Sequence, residues 1–267
     1  MLFRSTFSRV ASPTARSEDK VSSDLIGILS DELLGKIFSR LDDVSLACAS
    51  LVCRRWSDIL SKEERESEWH RNTHGRWPLF LSSPRPMPCG EMDVCLRRDF
   101  PWRRAYTSLV LSAPCIYCLY QNELKQSGDE TIAWTSDVPV YREMPFYRQR
   151  LYNEGRTLSQ DPPEGIRAQA LDSSLQHWQA SIAGPPGSPY EGGRFYLSLW
   201  FPAAYPCKPP LVRFLTKVFH PNVSRHGDIG IDILQQNWSS ALDLSKILVS
   251  IQSLFTDPYC YVSAFRA

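Results

Sequence analysis

A chain of 267 residues has room for one or two domains, since domains commonly hold about 100–200 residues. Hydrophobic residues make up 43% of it, charged residues 22%, and the formal net charge is +1, which is the balance of an ordinary globular protein. Nucleic acid and membrane are therefore not predicted as partners, because the chain lacks both a strong positive charge and an apolar run of about 20 residues. The eight cysteines form no regular disulfide framework, which favours reduced thiols and a cytoplasmic or nuclear location. We expect no metal and no other cofactor.

Two short amphipathic helices are predicted after a polar start. Residues 1–23 are rich in Ser and Arg and poor in apolar groups, which is typical of a disordered tail. The first helix, which Ser30 or Asp31 can cap, has apolar residues at helical spacing: Leu33, Leu34, Ile37, Phe38 and Leu41. The second, which Asp43 can cap, carries on or near one face Leu46, Ala49, Val52, Cys53 and Trp56. Helices this short need something to pack against.

This helical segment, which we place at residues 24–70, resembles an F-box. The resemblance rests on Leu29, on the apolar residues of the first helix, and on the run Leu51-Val52-Cys53-Arg54-Arg55-Trp56. It departs from the family at Ser30, where a proline is usual. The resemblance implies docking of an apolar face on a Skp-type adaptor that bridges to a cullin ligase. The side chains expected at that interface are Leu29, Leu33, Leu34, Ile37, Phe38, Leu41, Val52, Cys53 and Trp56. The alternative is an unrelated helical hairpin.

Residues 71–144 are predicted to form an extension of the F-box followed by a linker. The run from Asp99 to Tyr106 is similar to the Trp-basic-basic-x-Tyr helix often found after an F-box. Trp77 and Trp102 belong to a group of aromatic residues that is dense enough to favour packing over a free linker.

The remaining residues, 145–267, have the pattern of an α+β domain. A helix is predicted from Phe146 to Leu158, ended by Asp161-Pro162-Pro163. Three alternating apolar patterns, centred on residues 178–182, 193–201 and 212–214, predict strands joined by short Pro- and Gly-containing turns. A last helix, capped by Asp243, follows. Consecutive strands with short turns favour an antiparallel meander with flanking helices.

This domain resembles the ubiquitin-conjugating (UBC) fold from about Arg150 to Pro258. The motifs that carry the resemblance occur in the family's order: Asp161-Pro162-Pro163, His177-Trp178, Ser188-Pro189-Tyr190-Glu191-Gly192-Gly193, Tyr205-Pro206-Cys207-Lys208-Pro209-Pro210, His220-Pro221-Asn222, Ile231-Asp232-Ile233-Leu234 and Trp238-Ser239. The family continues through two more helices that have no counterpart after Pro258. The fold is therefore expected to be truncated at its C-terminal helices, leaving apolar surface on the last helix and sheet exposed unless the middle region covers it.

Gly230 stands where the resemblance implies a nucleophilic cysteine. In the family that cysteine carries ubiquitin as a thioester, the Asn of His-Pro-Asn stabilises the oxyanion, and nearby acids help to deprotonate the attacking lysine. Asn222 and Asp232 match those supporting residues, but a glycine cannot form a thioester. We therefore expect a pseudoenzyme with a remnant site, in which Asn222 fixes a loop. Two further departures, Cys207 and Arg167, fall on the surfaces that the family uses for RING-type ligases and for ubiquitin.

The sequence thus predicts a multi-domain protein, a small all-α F-box-like region followed by the α+β UBC-like domain. Its predicted function is that of a ubiquitin-pathway adaptor, which docks to a Skp-cullin ubiquitin ligase and offers a non-catalytic UBC-like surface to ubiquitin or a substrate protein. The alternative is an active conjugating enzyme fused to its own recruitment module. That alternative needs a substitute nucleophile, for which Cys260 is the candidate.

Overall fold

Helix α1, Asp31–Phe38, lies in the first of two compact units, which meet in sequence between Arg40 and Leu41. The structure, a computed structural model, describes residues 28–62, 65–80, 100–116, 119 and 145–259. Ser30, one of the two caps that the sequence allows, caps α1 by accepting a hydrogen bond from the Leu33 amide at 3.4 Å. Leu34 and Phe38 lie on the buried face of the helix, whereas Leu33 and Ile37 remain 46% exposed.

The second unit begins at Leu41, and the structure gives bounds for four helices and a short 3-10 turn that precede its sheet. They are α2 (Asp43–Ala49), α3 (Arg54–Leu60), α4 (Glu66–Arg76), the turn Pro78–Phe80 and α5 (Trp102–Leu111). Buried aromatic rings hold α4 and α5 together, with the Tyr106 ring 5.6 Å from that of Trp69 and 5.5 Å from that of Trp77. Among the described residues of the middle region, Trp77, Trp102 and Tyr106 are therefore packed, as the density of aromatic residues predicts.

Asp42, and not Asp43, caps α2. The Asp42 carboxylate accepts a hydrogen bond from the Ser45 amide at 2.9 Å. The prediction that Asp43 caps this helix is wrong in this respect, because the Asp43 carboxylate turns inward and accepts hydrogen bonds from Arg76 and Tyr106. Because the two aspartates are adjacent, the sequence alone does not show which one caps the helix and which one pairs with Arg76.

Four antiparallel strands form the sheet of the second unit, in the order of the chain. They are β1 (Ile166–Ala170), β2 (His177–Ala183), β3 (Arg194–Trp200) and β4 (Leu211–Phe214). The predicted meander is confirmed, together with the helical region that precedes it. The sequence analysis missed β1, because its three central residues are only half-buried and give no clear alternation.

Two helices cover the inner face of this sheet. They are α6 (Phe146–Gln160) and α7 (Leu244–Ser253), and their buried side chains join those of the sheet in one hydrophobic cluster. Helix α7 buries Leu244, Ile247, Leu248 and Ile251, and Val249 is its one large apolar side chain on the surface, at 42% exposure. Within the described residues, no helix has the length and apolar character needed to cross a bilayer.

The carboxylate of Glu154 locks α6 to its surroundings. It accepts hydrogen bonds from the Tyr205 hydroxyl at 2.8 Å and from the Leu244 amide at 2.9 Å. It also forms an ion pair with Arg150, which lies on the preceding turn of the helix. Burial and the nearby Glu154 carboxylate raise the pKa of Tyr205, so its hydroxyl stays protonated and continues to donate.

A Glu154→Ala substitution is expected to lower the free energy of unfolding by about 3 kcal/mol, because it leaves buried donors without an acceptor. Urea unfolding of the full chain measures this loss. Glu164→Ala removes an exposed carboxylate just beyond the same helix and serves as the control, with little expected change. Equal losses in the two variants would contradict the assigned role of Glu154.

Candidate functional site

Gly230 lies at the end of a tight loop that begins at Asn222. Its amide donates to the Asn222 carbonyl at 2.8 Å, and Val223 pairs with Ile229 in an isolated antiparallel bridge. Gly230 is buried and is not among the glycines with positive φ. The φ angle at this position therefore does not by itself require a glycine.

Within the loop, Gly227 does require a glycine. Its φ is +89°, and a Cβ atom there would lie 2.4 Å from the Phe214 carbonyl oxygen on β4. The ion pair between Arg213 and Asp228, with N and O 2.6 Å apart, fixes the loop to the same strand. The sequence Arg225-His226-Gly227-Asp228 thus builds the turn that places Gly230 opposite Asn222.

The amide side chain of Asn222 is fully buried and is bonded to the backbone of Tyr259. Its Nδ2 donates to the Tyr259 carbonyl at 3.0 Å, and its Oδ1 accepts from the Tyr259 amide at 2.8 Å. This reciprocal pair of hydrogen bonds resembles one step of a β ladder and holds Tyr259 against the loop. The geometry favours the predicted loop-fixing role of Asn222, because both ends of the amide are engaged by the backbone.

His220 links the same loop to the end of α7 as a neutral ring. Its Nε2 lies 2.8 Å from the Leu254 carbonyl oxygen, so it is the protonated nitrogen, and its Nδ1 accepts from the Asn222 amide at 3.0 Å. Burial lowers the pKa of His220, although the bond to Leu254 partly opposes that shift. Protonation of Nδ1 would set two donors against each other.

The free energy of unfolding is expected to fall as the pH drops below the ordinary histidine pKa of about 6.5. The pKa of His220 in the folded state lies below its value in the unfolded state. As the pH falls, the unfolded state therefore binds the proton first, and this stabilises the unfolded state relative to the folded one. His74, whose pKa is lowered by burial and by the neighbouring His70, acts in the same direction. Urea titrations from pH 7.5 to about pH 5.5 measure the slope. We expect His220→Gln to flatten it, and His74→Gln with His220→Gln to flatten it further; an unchanged slope in both would contradict these assignments.

Asp232 begins the 3-10 turn Asp232–Leu234, close to Gly230 in sequence. One carboxylate oxygen accepts from the Ile233 amide at 2.8 Å, and the other accepts from the Asn237 side chain at 2.7 Å. The Tyr259 hydroxyl lies 3.5 Å from the carboxylate oxygen that accepts from Ile233. Asn222 and Asp232 are thus tied to the same residue, Tyr259, one through the backbone and one through the ring.

Several predicted site residues lie elsewhere or outside the described chain. Cys260, the candidate substitute nucleophile, lies outside the described residues, so its approach to Gly230 stays a prediction. Cys207 is an exposed free thiol, and Arg167 is half-buried on the outer face of β1. Sequence reasoning missed Tyr259, since no motif signals a residue that acts through its backbone.

The predicted docking residues divide into exposed and buried ones. In the first unit, Leu33 and Ile37 are exposed and Leu29 is half-buried, whereas Leu34 and Phe38 are 1% and 2% exposed. These last two side chains are buried in this structure, and their part in docking stays a prediction. In the second unit, Leu41, Val52 and Cys53 are exposed and Trp56 is half-buried. Leu51, at 53% exposure, belongs with them and was not predicted.

Family models match both the helical region and the α+β domain of the chain. The sequence model of the family described as ubiquitin-conjugating enzyme matches residues 150–265, and that described as F-box-like matches residues 31–71. Among solved structures, the chain is similar to that of human ubiquitin-conjugating enzyme E2 G1. The two are 36% identical over 43% of this chain and 98% of that one, with a TM-score of 0.42.

Proposed function

The chain belongs to the ubiquitin-conjugating enzyme family and also carries an F-box-like region, and from these two memberships we propose that it is a non-catalytic adaptor of the ubiquitin pathway. The F-box-like region docks on a Skp-type adaptor of a cullin ubiquitin ligase, in the cytoplasm or nucleus. The UBC-like domain serves that ligase as a binding or scaffolding surface for ubiquitin or a substrate protein.

Gly230 is the observation that carries the non-catalytic half of this proposal. Ubiquitin transfer in the resembled enzymes needs a cysteine sulfur at this place, and a glycine offers no atom to which ubiquitin can be joined. The residues around it support a structural role, since Asn222 bonds to the Tyr259 backbone and Asp232 to Ile233 and Asn237. The loop is well braced, and the reactive group is what it lacks.

Exposed apolar side chains support the docking half. Leu33 and Ile37 on α1 are each 46% exposed, and in the second unit Leu51 and Val52 are 53% and 63% exposed. Within either unit, exposed leucine, isoleucine or valine side chains are typical of a surface that a partner buries. The match of the F-box-like model to residues 31–71 covers all four.

Phe219 supports a scaffolding role for the UBC-like domain. Its side chain is 100% exposed, yet its backbone is held, because the Tyr190 hydroxyl donates to the Phe219 carbonyl at 2.6 Å. An aromatic side chain presented on a fixed backbone is the kind of residue that anchors protein contacts.

Co-purification of the full chain with a Skp-type adaptor and a cullin tests the proposal. We expect a stoichiometric complex on size-exclusion chromatography, from protein that shows a cooperative melting transition. Folded protein that elutes apart from the adaptor at micromolar concentration would overturn the docking half.

A further inference from the structure

The outer face of the sheet, the side away from α6 and α7, is buried at its centre. Gln179 on β2 is 1% exposed and Ser181 is 0% exposed, and both alternate with residues of the hydrophobic cluster. Their register partners on β3, Ser198 and Tyr196, are half-buried and 5% exposed. An antiparallel sheet with helices on one face commonly leaves the other face to water, with polar residues on it. The polar residues are present here, but the water is excluded.

Residues 76–80, which we call the cap segment, lie on this face. The Gln179 side chain holds them from both ends: its Nε2 donates to the Arg76 carbonyl at 2.8 Å, and its Oε1 accepts from the Leu79 amide at 3.5 Å. Trp77 and Leu79 are 1% and 4% exposed. A glutamine amide that bonds to backbone groups of another segment acts as a short strand partner, and it satisfies polar groups that burial would otherwise leave unpaired.

Arg76 fixes the cap segment to the helices behind it. Its guanidinium makes two hydrogen bonds of 2.8 Å to the Asp43 carboxylate and a third to the Leu119 carbonyl at 2.8 Å. The Tyr106 hydroxyl donates to the same carboxylate at 2.6 Å. Burial would raise the pKa of Asp43, but the bonds from Arg76 and Tyr106 outweigh it and lower that pKa. The carboxylate therefore stays ionised and the bidentate pair persists.

A second tie lies beyond α5. The Lys217 amide, just after β4, donates to the Ser112 carbonyl at the end of that helix. The helices and the sheet are thus joined at two separated places, through Gln179 on β2 and Lys217 after β4. Two separated attachments restrict rotation of one part against the other, which a single attachment does not.

We propose that the cap segment is an intramolecular ligand of the outer sheet face, with Gln179 as its receptor, so that helices α2 to α5 and the UBC-like domain act as one rigid body. The centre of this face is then withheld from other proteins. A partner bound to α2 or α3 meets the UBC-like domain in one fixed orientation. This proposal is independent of adaptor docking, since it concerns contacts within Leu41–Ala267 alone.

Hydrogen exchange of the full chain tests it, read by mass spectrometry on peptides from residues 69–80 and from β2. In the wild type we expect both peptides to exchange through the same global opening, with rates that rise together in urea. Gln179→Leu removes both hydrogen bonds and is expected to speed exchange of the Leu79 amide about 10-fold. Gln169→Leu is the matched control, because Gln169 lies directly opposite Gln179 in the β1–β2 register and is half-buried on the same face. It is expected to leave the Leu79 amide unchanged.

Two results would overturn the proposal. One is a wild-type Leu79 amide that exchanges as fast as an unprotected loop while β2 stays protected. The other is the same acceleration in Gln179→Leu and Gln169→Leu. Should Gln179→Leu not fold, Gln179→Met keeps the length of the side chain and permits the same comparison, and the wild-type measurement stands without any variant.

Discussion

Replacing Leu33 with aspartate is expected to weaken binding of the full chain to a Skp-type adaptor at least about 100-fold, which corresponds to about 2.7 kcal/mol. Leu33 is 46% exposed on α1, so a docked partner would bury the remainder of its side chain. An aspartate loses that burial and must also give up the hydration of its charge. The fold should survive, because the buried face of α1 consists of Leu34 and Phe38 and is untouched.

The same substitution elsewhere separates docking from general effects of added charge. Val52→Asp, in the second unit at 63% exposure, is expected to weaken binding by a similar factor. Leu111→Asp changes an equally exposed apolar residue of α5, at 61% exposure, that lies outside the predicted docking set, and it should bind as the wild type does. Isothermal titration with purified adaptor measures all three. Full affinity in both Leu33→Asp and Val52→Asp would remove the docking proposal.

Much of the architecture follows from local pattern. The spacing of Leu33, Leu34, Ile37 and Phe38 predicts α1, and the side-chain oxygen of Ser30 predicts its start, because both signals are contained in a few consecutive residues. Which of these four side chains face inward does not follow. Residues at this spacing lie within one wide apolar stripe, and only the tertiary structure divides it into a core edge and a surface edge.

Contacts between residues far apart in sequence could not be predicted from local pattern. Gln179 sits in an alternating strand and reads as an ordinary solvent-facing residue, yet its partners Arg76 and Leu79 lie about a hundred positions away. Asp43 likewise reads as a helix cap until Arg76 and Tyr106 are placed beside it. In each case the sequence shows a polar group and the fold supplies its partner, so the polar cores of this protein had to be observed.

The candidate site around Gly230 could likewise be predicted only in part. Motif order located Asn222, Gly230 and Asp232. The structure places Asn222 and Gly230 at the two ends of one loop, with the Gly230 amide bonded to the Asn222 carbonyl, and Asp232 at the start of the 3-10 turn that follows. The role of Asn222 needed the fold, because its partner is the backbone of Tyr259. A residue that contributes only its amide and carbonyl has no sequence signature.

The wild-type protein, mixed with activating enzyme, ATP and ubiquitin, is expected to form no reductant-sensitive ubiquitin adduct, whereas Gly230→Cys is expected to form one. A cysteine thiolate at this place attacks the thioester carbonyl of activated ubiquitin, and the activating enzyme's sulfur leaves as the new thioester forms. The wild type offers no sulfur there. The φ angle of Gly230 does not oppose the change, because Gly230 is not among the residues with positive φ.

Two variants decide what any adduct means. Gly230→Ala adds the same Cβ without sulfur, so it separates the thiol from the effect of filling a buried position. Cys260→Ala removes the substitute nucleophile, and an adduct that forms on the wild type and disappears in this variant would replace the adaptor proposal with the active-enzyme alternative. A folded Gly230→Cys that forms no adduct would mean that the missing cysteine side chain is not the sole reason for the lack of activity. The contacts that Tyr259 makes with Asn222 and Asp232 are then the next feature to test by substitution.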